Sequence, residues 1–250
     1  LKILKISEMK KYFTPDSIVF SLNGKTIQLY EGEFNPLQSL AEFLRSDSIH
    51  LTGTKISCGE GGCGACTVIM SNYALDEYGK GSTHKIYHNA VNSCLIKLIQ
   101  LHKTAITTIE YLGSVLKDKD KLIHPIQNSF LKHSATQCGY CSPGFIMSSY
   151  AALLNNQKVF NDENEQKKFD IEDLHQFDGN LCRCTGYRSI IDSFREFSQN
   201  PPPSDESITY DKTGLNTYDI KSRIPIVPEF FKDAPRNNVC IHYKGETFII

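Results

Sequence analysis

A surplus of charge of either sign is missing from this sequence. Its 27 basic and 28 acidic residues leave a formal net charge of −1. That gives no electrostatic footprint for nucleic acid and no polybasic membrane anchor. Long apolar runs are missing too, and none approaches the roughly 18 residues a membrane helix needs. The opening stretch "LKILKISEMKKYF" has no continuous apolar segment and no small-residue cleavage site, which argues against a secretory signal. It also begins with Leu1 rather than methionine, and the chain stops inside the strand pattern "HYKGETFII". Both ends suggest an N-terminal piece of a longer polypeptide. The sequence has no internal repeat. With 40% hydrophobic residues, it has the composition of a globular chain.

What the chain does have is cysteine. Seven of its nine cysteines fall into tight groups: Cys58, Cys63 and Cys66, then Cys138 and Cys141, then Cys182 and Cys184. In a chain without a secretion signal, such grouping favours metal binding over disulfides. Cys240 stands apart between Val239 and Ile241 and reads as a core residue. The eight histidines show no ligand-like spacing.

The hydrophobic patterning divides the chain. "IVFSLNGKTIQLY" (18–30) is two β-rich runs around Asn23-Gly24, the preferred pair for a two-residue hairpin. A helix is predicted next, capped by Asn35, with Pro36 in its first turn and Leu37, Leu40, Ala41 and Leu44 on one face. Strands are predicted at 66–70 and 84–91, and 94–102 fits either a short helix or a buried strand. From about residue 120 the pattern turns helical, at 124–135, 143–156, 170–180 and 187–198. Pro143, Asp170 and Thr185 mark helix starts. Four short helices suggest a compact bundle. The segment 156–169 reads as a solvated loop. The triple proline at 201–203 opens an extended linker running to about residue 222.

"CGEGGCGACTV" (58–68) poses a choice. Its glycines match the phosphate-binding pattern G-x-G-x-x-G, but that pattern requires a helix at its exit. Here a strand follows, Thr67-Val68-Ile69. The glycines suit a second use: they let a loop close around an inorganic centre and aim backbone N–H groups at an anion. Cys58, Cys63 and Cys66 have the spacing C-x4-C-x2-C, with Cys94 further on, which is the plant-type [2Fe–2S] pattern. A four-cysteine zinc site would more usually show two short knuckles. The second set, Cys138-x2-Cys141 and Cys182-x-Cys184, is less specific by itself. Zinc and a redox dithiol remain open there. Each of its pairs precedes a predicted helix start, where the dipole favours an anionic centre.

Taken together, "GTKISCGEGGCGACTV", "NSCL", "QCGYCSPG" and "GNLCRCTGYR" resemble the two iron–sulfur domains of the molybdenum hydroxylases, the family of xanthine dehydrogenase and aldehyde oxidase. The resemblance runs over about residues 17–200. It implies an α+β chain: a ferredoxin-like β-grasp domain at 17–114, then an all-α four-helix-bundle [2Fe–2S] domain at 115–200. A linker at 201–222 and the start of an FAD-binding domain at 223–250 would follow, since "RIPIVPEFF" is similar to the family's entry into that domain. It further implies that Cys58, Cys63, Cys66 and Cys94 bind one [2Fe–2S] cluster. Cys138, Cys141, Cys182 and Cys184 would bind a second, and Gln137 would approach a molybdopterin held elsewhere.

The implied role is electron transfer from a molybdenum centre to FAD, with no bond-making in this segment. The implied partners are the FAD and molybdenum domains of the same chain, in a homodimer, without nucleic acid or membrane. The implied place is the cytoplasm or the peroxisome. Xanthine oxidation is the preferred activity. Aldehyde oxidase, a free-standing electron-carrier subunit and a zinc-binding interaction module are the alternatives. One departure from the family pattern is the long Asn/Gln/Glu-rich loop at 156–169.

Overall fold

The computed structural model describes residues 2–3, 17–75, 82–114, 123–155, 177–198, 223–231, 240–243 and 246–249. It is a mixed α and β chain. Asn23 and Gly24 take positive φ of 50° and 78° and join β2 (Ser17–Leu22) to β3 (Lys25–Tyr30) in the expected hairpin. The short β1 (Lys2–Ile3) pairs with β3. The long antiparallel pair β4 (Thr67–Leu75) and β5 (Ser82–Asn92) follows, then β6 (Ala105–Thr107). β6 runs parallel to β2 and antiparallel to β4, so the sheet order is β1-β3-β2-β6-β4-β5.

Alternation along the strands decides what covers each face, because successive side chains point to opposite sides. Ile18, Phe20 and Leu22 of β2, Val68 of β4 and Ile106 of β6 are buried together under helix α1 (Leu40–Arg45). The rings of Phe20 and Phe43 meet edge to face at 6.1 Å. The intervening residues point the other way. Ile69 of β4 enters the core of the helical unit, and Val19 and Ala105 pack beneath Val227 and Phe231.

The helical unit comprises α2 (Ile109–Leu112), α3 (Pro125–Lys132), α4 (Ser142–Asn155) and α5 (Arg188–Arg195). Its core is Phe130, Phe145, Met147, Tyr150, Ile190 and Phe194, with Ile126, Leu153 and Ile69. α3 opens as its sequence suggests, with Pro125 in the first turn and a reciprocal box between His124 and Gln127. Of the four bundle helices expected, three correspond to α3, α4 and α5. The fourth, at 170–180, falls mostly outside the described residues, as do its cap Asp170, the loop 156–169 and the linker 201–222. Its last residues, 177–180, form a turn.

Several local expectations change. α1 starts at Leu40, and Ser39 caps it rather than Asn35. Asn35 closes a turn instead: its Oδ1 accepts the Leu37 N–H at 2.9 Å and its carbonyl the Gln38 N–H at 3.0 Å. The strands at 66–70 and 84–91 extend to Thr67–Leu75 and Ser82–Asn92. The segment 94–102 becomes a 3-10 turn at Leu98–Leu101. Residues 223–231 lie across the first sheet, and β7 (Cys240–Tyr243) and β8 (Glu246–Ile249) pair antiparallel as a separate sheet. Cys240 is in β7, with its side chain outside the described set.

Candidate metal centres

The loop 58–66 connects α1 to β4 and is held at both ends. Lys55 N–H donates to Ala65 O at 3.3 Å, and Thr67 N–H and Oγ1 donate to Gly64 O at 3.2 and 2.7 Å. Gly59, Gly61 and Gly64 all take positive φ, which glycine adopts at least cost. The loop brings Cys58 and Cys63 within hydrogen-bonding reach of each other. Cys94, in the turn after β5, meets Cys66 in the same way and lies close enough to Cys58 to feel its charge. Asn92 braces this turn, donating from Nδ2 to Gly61 O at 2.8 Å while its Oδ1 lies 3.9 Å from Cys66 Sγ.

The second quartet is also built from pairs. Cys184 Sγ lies 3.5 Å from Cys138 Sγ, and the Cys141 and Cys182 thiols interact. Cys141 immediately precedes α4, as expected. Cys184 lies four residues before α5, whose first residue is Arg188, so the helix-start argument holds for one pair only. Thr185 does not cap α5. Its backbone N–H reaches Cys182 Sγ at 3.4 Å, and its hydroxyl contacts the same sulfur at 3.1 Å.

Burial and backbone donors set the acidities. Cys58 is exposed, and the Glu60 backbone N–H, helped by the Cys63 thiol, lowers it to about 7. Burial pushes Cys94 up to about 11 and Cys141 up to about 12. At Cys182 burial pulls upward, but the Thr185 hydroxyl and N–H outweigh it and the thiol is lowered. The Cys138 thiol raises Cys184. N–H groups aimed at sulfur favour thiolates, the form that ligates metal.

Among the described residues, no group of three or more His, Cys, Asp or Glu side chains is disposed around a single ion. Each site offers two pairs of thiols. Two irons that each take two thiolates need this arrangement, whereas a zinc ion needs four donors around one point. Gln137, beside Cys138, is exposed.

The segments that carry the two quartets touch. Leu181 N–H donates to Cys63 O at 2.9 Å, which joins the residue before Cys182 to a cysteine of the first loop. Tyr140 Oη donates to Ile56 O at 2.5 Å nearby. The sequence reading missed Asn180, whose Nδ2 donates to Gly64 O at 3.2 Å. The residue is legible only as part of "GNLCRC", and its partner lies 116 positions away.

Fold and sites define a protein with two iron–sulfur domains. The family model for a 2Fe-2S iron-sulfur cluster binding domain matches residues 23–98, and that for a [2Fe-2S] binding domain matches 108–195. Xanthine dehydrogenase/oxidase of Gallus gallus is 44% identical over 185 residues, 74% of this chain and 12% of its own length. The Mus musculus protein of the same name is 36% identical over 93% of this chain and 17% of its own. Aldehyde oxidase 4 of Cavia porcellus is 40% identical over 74% of this chain and 12% of its own. Among solved structures, quinoline 2-oxidoreductase from Pseudomonas putida 86 superposes with a TM-score of 0.53 at 31% identity. The match covers 71% of this chain and 89% of that one. The chain belongs to the molybdenum hydroxylase family and corresponds to its N-terminal iron–sulfur portion. It spans less than a fifth of the length of these xanthine dehydrogenase and aldehyde oxidase relatives.

Proposed function

We propose that this chain is the electron-transfer portion of a molybdenum hydroxylase of the xanthine dehydrogenase type. The observation that carries the reading is the pair of thiol quartets joined by the Leu181–Cys63 backbone hydrogen bond. Cys58, Cys63, Cys66 and Cys94 hold one [2Fe–2S] cluster; Cys138, Cys141, Cys182 and Cys184 hold the other. Clusters so bound supply one-electron storage and release. The chain's own residues do the rest. Backbone N–H groups of the glycine-rich loop and Thr185 stabilise charge on sulfur. Burial of Cys66, Cys94 and Cys182 keeps water from the inner sides of the sites. The exposed Cys58, Cys138 and Cys184 leave each site an outer side for exchange with other domains. Gln137 lies on the outer side of the second site, where a molybdopterin domain would approach. FAD would lie beyond the first.

A β-grasp architecture for the first unit is supported by the mixed sheet under α1, and residues 223–250 are read as leading into an FAD domain. The match to the mouse protein covers 93% of this chain, which requires residues beyond 200. That favours one long chain carrying its own flavin and molybdenum domains; a cytoplasmic homodimer belongs to the same proposal through the family resemblance alone. A second reading has its own support. The quinoline 2-oxidoreductase chain is almost fully covered by part of this one, as expected of a separate electron-carrier subunit. Substrate follows the xanthine dehydrogenase relatives, with aldehydes next because aldehyde oxidase 4 is nearly as similar.

The test is anaerobic purification, metal analysis and electron paramagnetic resonance after dithionite reduction. Iron and two distinct S = 1/2 signals are expected. A colourless, silent protein containing zinc would overturn the cluster assignment in favour of an interaction module. Turnover of hypoxanthine against an aromatic aldehyde by the full-length enzyme then separates the two substrate classes.

A further inference from the structure

Resting on the relay reading above, we propose that Asn180 is a positioning residue that sets the spacing between the two thiol quartets. Asn180 is 7% exposed, and its side chain ties three segments together. Nδ2 donates to Gly64 O in the first cysteine loop at 3.2 Å, and Oδ1 accepts from Ser148 Oγ on α4 at 2.8 Å. The backbone of the same residue opens the approach to Cys182. A primary amide suits this place because it carries a donor and an acceptor on one rigid plane.

The attachment has two points. Asn180 holds Gly64 through its side chain, and the next residue, Leu181, holds Cys63 through its backbone N–H at 2.9 Å. Two adjacent bonds to two adjacent residues fix orientation as well as distance. The acceptor is held from its own side by Thr67, whose N–H and Oγ1 both donate to Gly64 O.

Neither glycine at this contact has room for a side chain. A Cβ at Gly64 would lie 2.4 Å from Asn180 Nδ2, and a Cβ at Gly144 would lie 2.1 Å from Gly64 O. Both glycines permit the first turn of α4 and the 177–182 segment to close on one carbonyl. Transfer between two centres depends on the atoms that join them, so a residue that fixes this contact governs the rate without ligating metal.

The experiment uses the intact protein as isolated, with Asn180→Ala, Asn180→Asp and Ser148→Ala. Iron content, magnetic broadening between the two reduced centres and the rate of electron equilibration between them are measured together. Both Asn180 variants are expected to keep iron at both sites, lose the broadening and equilibrate more slowly. Ser148→Ala, which frees the amide to rotate, is expected to lose part of the broadening. A merely structural role would lower iron content or thermal stability while loaded molecules kept full broadening.

Unchanged broadening in fully loaded Asn180→Ala overturns the proposal. If that variant does not retain iron, unchanged broadening in Ser148→Ala overturns it. If the unaltered protein itself holds no iron, the relay reading fails separately. Hydrogen exchange at the Leu181 amide then decides the role of Asn180: lost protection in Asn180→Ala upholds the clamp, and unchanged protection overturns it.

Discussion

His88 sits on β5 with its Nδ1 2.8 Å from the Ser71 hydroxyl on the neighbouring strand. Its ring is largely enclosed and lines a polar cavity of about 350 Å³ between the sheet and α4, together with Asn92, Asn155 and Asn180. Burial lowers its pKa to about 4. The sign of the consequence follows from linkage. Unfolded, the ring takes a proton near its ordinary value of about 6.5. Folded, it stays neutral until about pH 4. Between these values the unfolded state binds the extra proton, so stability falls as pH drops through the window. It is flat with respect to this group above the window. Urea unfolding at pH 7.5, 6 and 5 should show wild type losing stability relative to His88→Gln on acidification. Parallel curves for the two proteins would remove His88 as the cause. The eight cysteines that the structure draws into two quartets were named from the sequence, the first four by their spacing and the second four through the family resemblance. His88 and Asn180 were not, because their roles come from partners brought near by the fold.

Ser39 shows the same limit for a whole element. Asn35-Pro36 carries a strong helix-start pattern, yet α1 begins four residues after Pro36. Ser39 Oγ accepts the Glu42 N–H at 3.2 Å, while Glu42 Oε2 accepts the Ser39 N–H at 3.0 Å. This reciprocal box satisfies two end donors, and the Ser39 hydroxyl holds the Glu42 carboxyl below its usual range. Tertiary contacts reinforce the choice. Leu40 N–H donates to Ile96 O and Ala41 N–H to Ser93 O, so the helix start is pinned to the turn that carries Cys94. Ser39→Ala should therefore cost about 1 kcal/mol, read as a lower urea midpoint at unchanged slope. Asn35→Ala, which only loosens a turn, should cost less. Equal losses would mean that Asn35 contributes to the start of α1 as much as Ser39 does. The hairpin at Asn23-Gly24 was readable because its two residues dictate their own backbone angles. The 3-10 turn at Leu98–Leu101 was not, because its apolar run fits helix and strand alike and its anchor is Gln38 O, which accepts Leu98 N–H at 3.0 Å.

At the scale of the molecule, β4 and the segment 223–231 bind the two units into one body. β4 sends Val68 into one core and Ile69 into the other. The segment crosses the second face of the sheet and reaches both units. Val227 and Phe231 pack on Val19 and Ala105, and the Ile226 carbonyl faces the Ser21 hydroxyl at 3.4 Å. The Ile224 carbonyl accepts from Tyr111 at 3.1 Å, and the Arg223 carbonyl accepts from Tyr150 on α4. Sequence alone marked "RIPIVPEFF" as an entry to something later in the chain. Its docking is a long-range event that local patterning does not encode. If the segment were only a tether, truncating its side chains would shift stability by no more than about 0.5 kcal/mol. Phe231 is 5% exposed, and replacing a buried phenylalanine with alanine costs about 3–5 kcal/mol. Phe231→Ala should therefore cost about 3 kcal/mol in urea unfolding. Tyr150→Phe, which removes only the hydroxyl bonded to the strap, should cost about 1 kcal/mol. Because the segment spans both units, Phe231→Ala should also raise amide exchange in β2 and in α4 together. Exchange rising in β2 alone would show a cover for one sheet, and the unit-to-unit contact would then rest on β4 and the Asn180 junction.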